Sequence, residues 1–268
     1  MKSLFLLLTF IFSQNSYAQD KSLNLGETIL YDAEIFFVDG ASFYTYPLRM
    51  NESEWLKAAG LGISTLIMFQ ADDQIKTKLG SEVDRYSNPF WKIIEQFGVV
   101  QNAELAGVAT YSVGLISGDK RIRTLGRMVI QSLTYSGLTA MVIRMIAGRK
   151  RPPFTSDPTN FIGFTTNNSY QSFPSGHVTV AFAFSTIMAE YIDSPWSRIG
   201  FYSLAGLSAT ERIINSQHWF SDVVIGALVG IAGGIHVLNE ESKRKNMEKS
   251  KLSIMPTFNG IALQYRLN

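Results

Sequence analysis

An all-α fold, a bundle of six helices, is predicted by three features of this sequence. Apolar stretches rich in Ala, Leu and Met recur at 58–70, 103–116, 128–147, 178–192, 199–209 and 223–238. None carries the strict alternation of a half-buried strand. No repeat, low-complexity tract or linker separates them, so successive helices pack on one another as a bundle.

The segments divide the chain into 1–18, 19–54, 55–238 and 239–268. In the first, Lys2 precedes an apolar run over 4–12, and Ser16 and Ala18 are small residues spaced for cleavage. This is a secretory signal pattern, with a cut expected after Ala18 and export across the inner membrane. The second segment is mixed and includes Ile35-Phe36-Phe37-Val38, which reads as a short strand. The third holds the six helices. The last is basic and then alternates up to Asn259-Gly260 and beyond, the signature of a small C-terminal β-hairpin whose partner strand would be 35–38.

Composition narrows the function. The chain has no cysteine, which excludes thiol chemistry, disulfides and zinc–cysteine sites. Its 24 basic and 22 acidic residues give no nucleic-acid footprint. Three histidines without HxxxH or HExxH spacing argue against a metal centre.

Only the third and sixth apolar segments approach the ~20 residues a membrane span requires, and mean hydropathy is only +0.07. With six spans, the basic clusters Lys120–Arg127 and Lys243–Lys245 would sit on the cytoplasmic side, with the chemistry-bearing loops opposite. A cleaved signal peptide starts the same six-span chain outside and leaves those loops inside. A non-spanning bundle removes the conflict. The expectation is therefore a periplasmic globular or membrane-associated protein with its site facing the periplasm.

Three separated pieces carry the chemistry. Arg144, Gly148 and Arg151 share one face if the third helix continues to Pro152, where two guanidinium forks would grip an anion. Pro174-Ser175-Gly176-His177 opens the fourth helix. Backbone N–H groups there attract anions, Gly176 permits close approach and Ser175 adds a hydroxyl. His177 stands where it could protonate a leaving group. In the third piece, Arg212 precedes His218 and Asp222, four residues apart. A carboxylate on one imidazole nitrogen leaves the other free as a nucleophile. The first two pieces also have ordinary structural readings, a basic helix end and a serine N-cap, and metal binding is the competing reading of the third. His236, within the last helix and without an acidic neighbour in sequence, reads as structural.

Together, Arg144-x6-Arg151-Pro152, Pro174-Ser175-Gly176-His177 and Glu211-Arg212-x5-His218-x3-Asp222 resemble the signature of the type 2 phosphatidic acid phosphatase (PAP2) and haloperoxidase superfamily, over roughly 55–238. Arg144 stands where that family has lysine, and Glu211 where it has serine. Neighbouring side chains diverge, so Glu211 is expected to face away from the site. The resemblance implies a helical bundle of the PAP2 type and a metal-independent phosphatase without cofactor. It implies His218 as nucleophile, Asp222 orienting it, and His177 as general acid. Arg144, Arg151, Ser175, Gly176 and Arg212 would then bind phosphate. The substrate would be a phosphorylated lipid, a lipid pyrophosphate or a small phosphoester. The alternatives are a vanadate-dependent haloperoxidase, with His218 as ligand, and a non-catalytic envelope binding protein.

Overall fold

The structure is a computed structural model that describes residues 24–79, 89–249, 252–257 and 260–265. Among them are eight α-helices: α1 (Leu25–Thr45), α2 (Glu52–Leu79), α3 (Pro89–Phe97), α4 (Val100–Ser117), α5 (Lys120–Ala147), α6 (Gly176–Ile192), α7 (Pro195–Ile214) and α8 (Phe220–Lys249). Every apolar stretch singled out in the sequence lies within one of them. The all-helical class holds, but the count of six does not, because α1 and α3 were not foreseen. The proposed signal segment lies outside the described residues.

The piece 35–38 is helical, not extended, and it pairs with no strand. Asn24 and Glu27 cap α1 reciprocally, with Glu27 N–H to Asn24 Oδ1 at 2.9 Å and Asn24 N–H to Glu27 Oε2 at 3.0 Å. The buried positions Thr28, Asp32, Ile35 and Asp39 recur every three or four residues. Three of those four are polar, which hid the helical period from a reading based on hydrophobicity. At the chain's end, β1 (Leu252–Thr257) and β2 (Gly260–Tyr265) pair antiparallel, from Leu252 opposite Tyr265 to Thr257 opposite Gly260. Asn259, at the centre of the expected turn, lies outside the described residues.

The chain forms two compact units. One joins the segment ending at Thr45 with the segment beginning at Asn239, and the other is Tyr46–Leu238. In the first, Arg244 grips Asp39 with two hydrogen bonds, Nη1 to Oδ1 at 2.7 Å and Nη2 to Oδ2 at 2.9 Å.

The second unit carries the three motifs, and its helix ends are sharply defined. Asp119 caps α5 by accepting from the N–H groups of Arg121 and Ile122. Ser194 and Ser197 form a reciprocal capping box at the start of α7. Beneath the site, Val178 of α6, Ile213 of α7 and Val223 of α8 make one buried cluster. α8 approaches α6 closely through glycines. A Cβ on Gly226 would lie 2.6 Å from the Ser175 carbonyl oxygen, and one on Gly230 would lie 2.8 Å from the Ala183 nitrogen.

Helix propensity favours alanine over glycine by ~1 kcal/mol, but at position 230 the new methyl meets backbone that cannot rotate away. Gly230→Ala is therefore expected to destabilise the protein by a net ~1–3 kcal/mol, read as a lower thermal or denaturant midpoint. A variant as stable as wild type would mean that α6 and α8 separate freely.

Candidate active site

The first motif does not lie on one helical face. α5 stops at Ala147, and Gly148 adopts a left-handed conformation (φ 57°) with its N–H bonded to the Arg144 carbonyl at 3.1 Å. A Cβ at Gly148 would run into the backbone of Gly163, so glycine is needed here on two counts. The chain then runs extended through Arg151. It is held by Lys150 N–H to Asn160 O at 2.9 Å and Arg151 N–H to Ser169 O at 2.9 Å. Arg151 nonetheless comes back to Arg144: the two guanidinium groups repel each other, and both feel the charge of Asp222.

Ser175 is the N-cap residue of α6, yet its hydroxyl makes no cap bond. Its Oγ and the Arg144 Nε are both buried without a protein partner. Buried polar atoms are almost always paired, so these two orphans suit an anion's oxygens. Gly176 is the contact point between the two motifs, because a Cβ there would strike the Arg144 guanidinium. The helix start, its free N–H groups and Arg144 thus share one cradle.

The histidines flank that cradle. His218 Nδ1 lies 2.8 Å from the Ser172 carbonyl oxygen. A carbonyl can only accept, so Nδ1 carries the proton and Nε2 keeps the lone pair. Asp222 Oδ2 stands 3.6 Å from Nδ1, beyond hydrogen-bond distance, so the ring is not held by Asp222 directly. The carboxylate holds the surroundings instead. Oδ2 accepts from Ser172 Oγ at 2.5 Å and from the Trp219 N–H at 2.9 Å, and the Asp222 carbonyl takes the Ser175 N–H at 2.9 Å. Asp222 therefore positions the residue whose carbonyl positions His218.

Burial lowers the pKa of both histidines. His177 falls to about 4, through desolvation first and then through the charges of Arg212 and His218. His218 also falls to about 4 through desolvation, with Asp222 opposing and Arg151 and Arg144 adding to the shift. At neutral pH both rings are uncharged in the free protein.

Glu211 does not face away. It is buried, and both its oxygens bond Arg212, one to Nε and one to Nη2, the latter at 2.8 Å. Glu95 of α3 takes a further hydrogen bond from Arg212 Nη2 at 2.9 Å. At the end of α7 the backbone directs the two neighbouring side chains into the same interior, where separation would leave a charge unpaired. Burial pushes the Glu211 carboxyl above the usual range, while Arg212 pulls it back.

Five residues around this centre were not singled out from the sequence: Asp72, Glu95, Arg149, Ser172 and Ser221. Arg149 lies inside the basic cluster, but the motif spacing drew attention to its neighbours. Asp72 is 150 residues away from Asp222 in the chain (222 minus 72), and no local pattern marks it.

The fold thus brings an arginine pair, a helix-start glycine and two histidines around one cradle suited to an anion. Residues 127–245 of this chain match the family model described as the PAP2 superfamily. Among its relatives is a lipid A 1-phosphatase of Porphyromonas gingivalis, 26% identical over 242 residues, covering 87% of this chain and 49% of that protein. A lipid A 1-phosphatase of Rhizobium johnstonii is 31% identical over 108 residues, covering 40% of this chain and 43% of the relative. This chain thus spans about half the length, or less, of these curated relatives. Among solved structures, Aquifex aeolicus LpxE is similar with 21% identity and a TM-score of 0.44, over 60% of this chain and 95% of that one.

The histidines make stability depend on pH. Each is near 6.5 in the unfolded chain and about 4 when folded, so between these values the unfolded state binds more protons. Their contribution is complete above about pH 6.5 and is lost as pH falls towards 4. The thermal midpoint is expected to drop through that window, and to drop less steeply in a His218→Gln variant. Equal slopes for the two proteins would contradict a buried neutral His218.

Proposed function

We propose that this protein is a metal-independent phosphatase of the cell envelope that hydrolyses a lipid phosphate through a phosphohistidine intermediate. The carrying observation is the fixed tautomer of His218: a proton on Nδ1 and a lone pair on Nε2, set beside a cradle of cations.

In this reading His218 Nε2 attacks phosphorus and the bond to the lipid oxygen breaks. His177 gives the departing oxygen its proton. Because His177 is neutral in the free protein, it must first gain that proton. The negative charge of a bound phosphate, set among the arginines, raises its affinity for one. Arg144, Arg151 and Arg212, with the Ser175 hydroxyl and the Gly176 N–H, stabilise the equatorial oxygens. Water then attacks the phosphohistidine, and inorganic phosphate leaves. Asp222 keeps its charge throughout and favours the cationic ring that forms.

Three observations support a lipid substrate in a membrane setting. The relatives that match this chain include lipid A 1-phosphatases. Two helices, Lys120–Ala147 and Phe220–Met247, are long and apolar enough to cross a membrane by length and composition. Large apolar side chains are also exposed along the second unit, including Leu56, Ile63, Leu66, Leu105, Ile116 and Ile146.

The test is a panel of a lipid A-type glycolipid 1-phosphate, phosphatidic acid, a polyprenyl pyrophosphate and a nucleotide monophosphate, assayed in detergent for phosphate release with and without EDTA. The glycolipid phosphate is expected to lead, with EDTA leaving the rate unchanged. His218→Ala should abolish turnover and acid-labile phosphoenzyme together. His177→Ala should slow lipid phosphates far more than p-nitrophenyl phosphate, whose leaving group needs no proton. Near-normal turnover by His218→Ala would refute the nucleophile assignment.

The same reading places the site on the periplasmic face. The chain lacks cysteine, so one introduced at exposed Ser156, in the loop after the first motif, reports its side alone. A membrane-impermeant thiol reagent is expected to label Ser156→Cys in intact spheroplasts of an expressing Gram-negative host. Labelling confined to lysed cells would place the site in the cytoplasm.

A further inference from the structure

We infer that Asp72 and Arg149 form a positioning pair that sets the charge and orientation of Asp222 behind His218; the inference rests on the phosphohistidine reading above. Both side chains are fully buried, as is Asp222. Arg149 is not a phosphate ligand, because every N–H it owns is already used. Nε donates to Pro158 O at 2.9 Å, and Nη1 donates to Ser221 Oγ at 2.7 Å and Asp222 Oδ1 at 2.7 Å. Nη2 donates to Asp72 Oδ2 at 2.6 Å and Pro158 O at 2.6 Å. Its guanidinium carbon also lies 4.5 Å from the centre of the Phe69 ring and 5.4 Å from that of Trp219. A guanidinium so enclosed acts on the reaction only through its partners.

Asp72 completes the unit. Its Oδ1 accepts the Ser221 N–H at 2.8 Å and its Oδ2 accepts the Ser221 hydroxyl at 2.6 Å. Ser221 thereby joins both carboxylates to the first turn of α8. Two consequences follow for His218. With Oδ1 of Asp222 committed to Arg149, Oδ2 is left to bind the Trp219 N–H and the hydroxyl of Ser172, whose carbonyl holds the ring. In addition, two carboxylates around one guanidinium leave a net negative charge next to an imidazole that becomes positive when Nε2 bonds to phosphorus. Replacing Asp72 by a neutral residue removes that net charge and touches nothing that contacts substrate. The loss should fall on the chemical step and not on binding.

The measurement is steady-state turnover of p-nitrophenyl phosphate by the full-length protein. Asp72→Asn is expected to lower kcat by ~10–100-fold, by analogy with the loss of outer-shell partners that orient metal ligands, with KM changed by less than ~3-fold. Combined with Asp222→Asn, it should cost little beyond Asp222→Asn alone, because both act through one carboxylate. Arg149→Lys, which keeps the charge but not the fork, should retain more kcat than Arg149→Gln. Breaking a buried ion pair can prevent folding, so Ser221→Ala, which loosens the same bridge without uncovering a charge, gives a second test. It should lower kcat by ~3-fold or more at constant KM. A normal kcat in either Asp72→Asn or Ser221→Ala, or losses that add in full with Asp222→Asn, would overturn the inference. His218→Ala, assayed in parallel, keeps the two ideas apart. If it is inactive while Asp72→Asn is normal, only the positioning pair fails; if it is active, the phosphohistidine reading itself fails.

Discussion

The buried carboxylate of Asp222 is the constraint from which the rest of the site follows. A carboxylate fully removed from water is tolerable only when its oxygens are nearly saturated with donors. Here the donors come from three separate stretches of chain: Arg149 within the first motif, Ser172 before the second, and the Trp219 N–H at the third. Satisfying one charge therefore fixes three loops relative to one another. His218 is placed as a by-product, since the Ser172 carbonyl that receives its proton belongs to one of those loops.

The side of the site proposed to hold phosphate is built the other way, from groups left unsatisfied. Arg144 Nε and Ser175 Oγ are buried without protein partners, and Gly176 leaves room for the Arg144 guanidinium. Burial first, and then the arginines there, lower the pKa of both histidines. Arg212 differs from the other two, being held by Glu211 and Glu95. Its fork is oriented in advance and part of its charge is offset. That gives the departure from the family's serine at 211 a physical meaning: the neighbouring carboxylate aims the arginine.

Much of this was legible in the sequence for reasons that are local. Six apolar segments announced helices because helix burial follows chain periodicity. Gly176 and His177 could be placed at a helix start because an N-terminus needs a cap and exposes free N–H groups. α1 was misread because its buried face carries Thr28, Asp32 and Asp39, whose polarity is compensated elsewhere; Arg244, the partner of Asp39, is 205 residues distant. The expected helical face of Arg144, Gly148 and Arg151 failed because a left-handed glycine ends a helix wherever its carbonyls find partners, and these were supplied by the 160s loop.

The sequence by itself determined the class of fold, the order of the helices and the three motifs that the fold brings together. Each of these depends on neighbours within a few positions. Tertiary structure alone decided which nitrogen of His218 carries the proton, that Glu211 turns inward, and that Asp72 and Arg149 stand behind Asp222. Each of those outcomes comes from removing charges from water, and a buried charge takes its partner from whatever part of the chain the fold brings within three ångströms or so. That distance has no counterpart in sequence spacing.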